Sequence, residues 1–150
     1  MQKLLKLCEN IRVPIMSKSY LELIQIQTYE ERYEYLKTNS TVCEPTLGSK
    51  RYLEQQFYRS KEWRTARRDA IVRDNGYDIG CEEYPINGMI IVHHINPITL
   101  DDLLDRSEKL TDLNNLICVS EMTHKAIHYG DAELIQQPLV IRTKKDTCLW

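Results

Sequence analysis

Long apolar runs are absent from this chain: no stretch approaches the ~20 apolar residues of a membrane-spanning helix, which excludes a helical membrane protein. The opening MQKLLKLCENIRVPIM has too short an apolar run and no small-residue cleavage site, so no secretory signal is expected. Net charge is scarce as well. With 20 Lys+Arg against 22 Asp+Glu the balance is −2, so only local charge can argue for a polyanionic partner. A disulfide framework is also missing. The 5 cysteines, Cys8, Cys43, Cys81, Cys118 and Cys148, are odd in number and scattered, which suits free thiols in a reducing compartment. No internal repeat or low-complexity tract appears. The expectation is a cytoplasmic protein whose 150 residues form one modest core with an appended helical segment.

What is present divides into three parts. Residues 1–49 read as an N-terminal helical segment, 50–131 as the main domain and 132–150 as an irregular tail. In SYLELIQIQTYEERYEYLKT, Leu21, Leu23, Ile24, Tyr33 and Leu36 fall at helical spacing, and Thr28-x-x-Glu31 is a capping box between two short helices. This prelude is polar enough to be expected mostly at the surface. Turn-formers in NSTVCEPTLGSK mark a loop, after which a helix should begin near Lys50 and run through RYLEQQFY.

The next run, SKEWRTARRDAIVRDNG, has Ser60 as N-cap, Trp63, Ala66, Ala70 and Ile71 on one face, and Asn75-Gly76 as its stop. Arg59, Lys61, Arg64, Arg67, Arg68 and Arg73 stand against Glu62 and Asp69, a local charge of +4 in a slightly acidic chain. A phosphate-facing helix shows this asymmetry, and so does an ordinary solvated helix face.

After the turn Pro85-Ile86-Asn87-Gly88, the run Met89, Ile90, Ile91, Val92 reads as a strand that delivers His93 and His94 at its end. Pro97 breaks regular structure, DDLLDR supports a short helix, and DLNNLICV turns into a second strand. SEMTHKAIHYGD is then a helix opened by Ser120 and closed by Gly130.

The 4 histidines of the chain sit in two clusters, on the first strand and on the last helix. His124 and His128, four apart on a helix, stack with Cβ atoms roughly 5–6 Å apart, a spacing that lets two imidazoles chelate one metal. Such a pair is also common on surface helices by accident, so the strand-borne pair matters. Successive strand residues point to opposite faces, so His93 and His94 cannot both aim at one ion. One can ligate while the other stays a free imidazole, the division a metal-assisted hydrolase needs.

HHINPI, LNNLICVS and THKAIH, over residues 93 to 128, resemble the motif of HNH endonucleases; the likeness extends over roughly residues 57 to 131. More narrowly the chain is similar to small HNH proteins of tailed bacteriophages, through YLELIQIQTYEERYEYLK, FYRSKEWR, RDNGYDIGC, HHINPI, THKAIHYGD and KKDTCLW, from about Ser17 to the C-terminus. The resemblance implies an α+β protein with a ββα-metal (His-Me finger) core behind a helical segment. It implies endonucleolytic hydrolysis of double-stranded DNA leaving 5′-phosphate and 3′-hydroxyl ends. It assigns His94 as general base and His93, His124 and His128 as ligands of one divalent ion. Asn115 takes the place of the motif's central Asn, which ties the loop and orients the base, with Asn114 as the neighbouring alternative. Arg64, Arg67 and Arg68 become candidates for DNA contact.

The same resemblance implies work in the host cytoplasm and the phage large terminase subunit as a partner. It also raises the hypothesis that Met16 is the native start and that residues 1–15 are an upstream extension. Three imidazoles suit Zn, Ni, Mn or Co better than Mg, although Mg can complete its sphere with phosphate and water oxygens. Where many HNH proteins bind a structural zinc through two Cys-x-x-Cys pairs, this chain reads Asp78-x-x-Cys81 and Cys118-x-x-Glu121. Two thiols with two carboxylates are a weak zinc set, so no second metal is expected, and Cys81 and Cys118 should be small packing residues. The rival readings are a non-cleaving, metal-containing DNA-binding module of the same fold and a structural protein with a closed zinc site.

Overall fold

A computed structural model of the chain describes residues 17–38, 49–80 and 84–131. The expected extension at 1–15, Met16, the tail at 132–150 and Cys81 lie outside the described residues. The elements are α1 (Tyr20–Leu23), α2 (Tyr29–Leu36), α3 (Ser49–Arg59), α4 (Lys61–Arg73), β1 (Tyr77–Asp78), β2 (Tyr84–Pro85), β3 (Ile91–His94), α5 (Leu100–Leu104), β4 (Leu116–Val119) and α6 (Glu121–Tyr129). Two 3₁₀ turns, Glu108–Leu110 and Leu113–Asn115, lie between α5 and β4. Helices and two small antiparallel sheets, β1–β2 and β3–β4, make this an α+β chain.

Local chemistry explains most boundaries. The hydroxyls of Ser19, Thr28, Ser60, Thr99 and Ser120 each accept a backbone N–H of the helix they open, and Thr99 with Asp102 forms a reciprocal box. After α4 the chain reverses through Asn75 and Gly76, at φ 53° and 72°, a left-handed pair that Asn and Gly tolerate best. Gly130 closes α6 at φ 71° in the same way. The β1–β2 pairing was not expected from the sequence; its strands have 2 residues each.

The β3–β4 ribbon organises the fold. Its register pairs Ile91 with Val119, Val92 with Cys118, His93 with Ile117 and His94 with Leu116. Strand alternation therefore puts His93, Ile91, Ile117 and Val119 on one face and His94, Val92, Leu116 and Cys118 on the other. Both faces are covered, which is why LICV is buried throughout instead of alternating. On the second face Trp63, Ala66 and Ala70 of α4 pack against Val92, Leu116 and Cys118. On the first face α6 supplies Ile127, and Leu23 and Leu36 come from α1 and α2.

The helical prelude lies mostly at the surface, as expected, but it also sends side chains into the core. Leu23, Tyr33 and Leu36 are buried, and the buried Arg32 donates to the carbonyls of Ile26 and Ile79. Its average polarity hides a narrow apolar edge, and α4 covers only one face of the ribbon. Burying each of those side chains is worth roughly 1.5–3 kcal/mol.

Two buried carboxylates brace the ribbon from behind. Asp74 accepts the Cys118 N–H and pairs through both oxygens with Arg73, which also lies over the Tyr20 ring. Asp78 accepts from Gly80 N, Ser120 N and the Thr123 hydroxyl at 3.0, 2.8 and 2.6 Å. Cys118 is fully buried beside Asp74, and burial first, then that carboxylate, pushes its thiol up to about 12, so it stays protonated. It packs as a small apolar residue. Among the described residues no helix is long and apolar enough to cross a membrane.

Candidate metal centre and base

Strand alternation sends His93 toward α6, where His124 and His128 present their rings one turn apart. Ring centroids lie 5.3 Å (His93–His124), 5.0 Å (His93–His128) and 4.4 Å (His124–His128) apart, each pair edge to face. One ring nitrogen from each lies within 4.8 Å of the other two, close enough to hold a metal ion. His93 is 6% exposed, and its Nε2 is a buried atom with no hydrogen-bond partner. A native fold rarely leaves such an atom unmatched, and an ion would satisfy it.

Electrostatics keep the three rings in the form a metal needs. Burial drives the His93 pKa well down, with the neighbouring His128 and His124 adding to the shift. Burial, then His128, lowers His124 to about 4, and burial lowers His128. All three are neutral at pH 7, each with one lone pair to give. The donor set of three neutral imidazoles fits a borderline divalent ion such as Zn, Ni, Mn or Co.

His94 faces the other way. Its ring stacks on Trp63 at 5.3 Å and 20°, with Phe57 at 6.4 Å. Its Nε2 lies 2.9 Å from the Leu110 carbonyl, and because a carbonyl only accepts, that nitrogen carries the proton. Nδ1 is then left with the lone pair, the tautomer a general base requires. Burial lowers its pKa, opposed by the bond to Leu110, so the ring is neutral at pH 7.

Asn115 supports this arrangement through the loop. Its amide donates to the Lys109 carbonyl, next to the Leu110 that holds His94, and its oxygen accepts from Asn96 N and Asn96 Nδ2 at 2.9 and 2.7 Å. Asn115 is 4% exposed, whereas Asn114 is exposed and accepts from Leu21 N. Of the two candidates, the buried one ties the ends of the long connection together.

At the strand end the two histidine environments meet in one cleft of about 240 Å³, lined by all four histidines, by Pro97 and Ile98, and by Glu54 and Tyr58 of α3. Reading the sequence did not single out Glu54 or Tyr58, which lie some 40 residues before the histidines in chain order. The cue available was FYRSKEWR: Ser60 alone separates α3 from α4, so Tyr58 is tethered beside the Trp63 that supports His94.

The three arginines expected to contact DNA differ. Arg67 is half-buried and donates from one nitrogen to the Ile90 carbonyl at 2.9 Å, tying α4 to β3. Arg68 is exposed and pairs with its neighbour Asp69, and Arg64 is exposed with Nε on the Ser60 carbonyl. None of the three lines the histidine cleft. No family profile, curated protein or solved structure matches the chain.

Proposed function

We propose that the chain is a metal-dependent endonuclease of the HNH type that hydrolyses phosphodiester bonds of double-stranded DNA. The observation that carries this reading is the separation of four neutral histidines into a three-membered donor set and one lone base on the same cleft. The order strand, long connection, strand, helix agrees with a ββα-metal core. A closed structural site would have no use for a fourth imidazole held in a base-competent tautomer outside the donor set.

His93, His124 and His128 would hold the ion. The ion, when bound, supplies positive charge to a phosphate oxygen and to the leaving 3′ oxygen. His94 Nδ1 takes the proton of the attacking water, while the Leu110 carbonyl steadies the imidazolium that forms. Trp63 and Asn115 keep ring and loop in place. Arg64 and Arg68, at the surface of α4, give phosphate contacts that add affinity without choice of sequence. The likeness to phage HNH proteins extends the proposal to the host cytoplasm and to work beside a large terminase subunit.

Supercoiled plasmid incubated with the protein and Mn, Ni, Zn or Mg tests the reading. Nicking is expected with at least one of these ions, and His94→Ala should slow it roughly 10²–10⁴-fold while metal still binds. DNA binding without nicking in every metal would favour the non-cleaving module. A His94→Ala protein that no longer folds would favour the structural reading.

A further inference from the structure

Among the described residues that line the histidine cleft there is no Lys or Arg, and the charged lining side chain is Glu54. An anionic phosphodiester in this cleft meets no cation among those lining side chains, which leaves neutral donors to hold it. Two of the obvious ones are already used: His94 Nε2–H donates to Leu110, and the Thr38 hydroxyl donates to the Ile127 carbonyl. Tyr58 remains, lining the cleft while 42% exposed.

We propose, resting on the nuclease reading, that Tyr58 is a substrate-contact residue whose phenolic hydroxyl donates a hydrogen bond to a non-bridging phosphate oxygen. One rigid indole sets its position relative to the base. Trp63 takes Tyr58 edge-on at 5.1 Å and 77° and His94 face-on at 5.3 Å and 20°. Phe57 buttresses the phenol at 5.3 Å. Burial, then the charge of Glu54, raises the Tyr58 pKa, so the group remains an O–H donor at any pH the enzyme meets.

Tyr58→Phe keeps the ring packing and removes the donor. Two variants, His94→Ala and His94→Ala/Tyr58→Phe, are loaded with Mn, and their affinity for a duplex oligonucleotide is measured by fluorescence anisotropy. Loss of one hydrogen bond to a charged group should weaken binding roughly tenfold. In the protein with His94 intact, Tyr58→Phe should lower kcat/KM for plasmid nicking by a similar factor. Thermal unfolding and Mn affinity should not move. Equal binding by the two variants overturns the contact, as does a loss of melting temperature or Mn affinity that accounts for the change. If the intact protein binds duplex but never nicks, the nuclease reading fails and the binding comparison alone decides Tyr58. Failure of every form to bind duplex overturns both.

Discussion

Two buried polar clusters lie against the same β3–β4 ribbon and differ in one respect. Around Asp78 every oxygen has a partner: Gly80 N, Ser120 N and the Thr123 hydroxyl converge on it. Around His93 the buried Nε2 has none, although two more imidazoles stand within reach. A satisfied cluster holds the fold together, whereas the unsatisfied one leaves three ring nitrogens close enough to hold a metal ion. Under the proposed HNH reading the contrast also bears on metal binding, since Asp78 and Cys118 would stand where many members of that family carry zinc thiolates. Here the carboxylate is committed to hydrogen bonds and the thiol, pushed up to about 12, keeps its proton.

Substitution should separate the clusters. His124→Ala removes one of three donors and should weaken Zn or Ni binding more than about a hundredfold, beyond the loss of an outer-shell partner. Metal-free stability should change by less than about 1 kcal/mol, because the ring is half exposed and makes no hydrogen bond to the rest of the fold. Asp78→Ala should do the reverse, leaving metal affinity near its starting value in whatever folds and costing about 3 kcal/mol by denaturant titration. The cost arises because three donors, Gly80 N, Ser120 N and the Thr123 hydroxyl, lose their shared acceptor. If the two variants gave the same pattern, the distinction between the clusters would collapse.

Acid sharpens the contrast with a smaller effect. His124 is lowered to about 4 in the folded chain, and His93 and His128 shift the same way. Unfolded, each titrates near ~6.5. Between these values the unfolded chain binds more protons, so stability rises with pH across that window. Metal-free protein should hold full stability above about pH 6.5 and lose it progressively toward pH 4. Denaturant midpoints at a series of pH values, with and without His124→Ala, check this, and a profile unchanged by the substitution would refute it.

Much of the scaffold was legible locally. Ser60, Ser120 and Gly130 mark helix ends by side-chain capping or a left-handed φ, interactions that span a few residues. Strand alternation alone separated His93 from His94. The prelude was harder to read, because whether Leu23 and Leu36 are buried depends on an uncovered ribbon face whose strands lie far along the chain. Arg67 and Arg68 look equivalent as letters, yet one is anchored to the Ile90 carbonyl and the other pairs with an exposed neighbour. Glu54 was invisible for the same reason, since its closeness to the histidines is a matter of helix packing, and Tyr58 had only its short tether to Trp63 as a cue.

The sequence by itself determined which residues are the candidates for a site: four histidines at strand and helix spacings, with an Asn between them. Periodicity is a property of the backbone and survives in any fold that uses those elements. Only the tertiary structure decided that three of the imidazoles converge, that Leu110 selects the tautomer of the fourth, and that Asn115 acts through the loop. These outcomes rest on contacts between segments tens of residues apart, and packing, not local preference, brings such segments together.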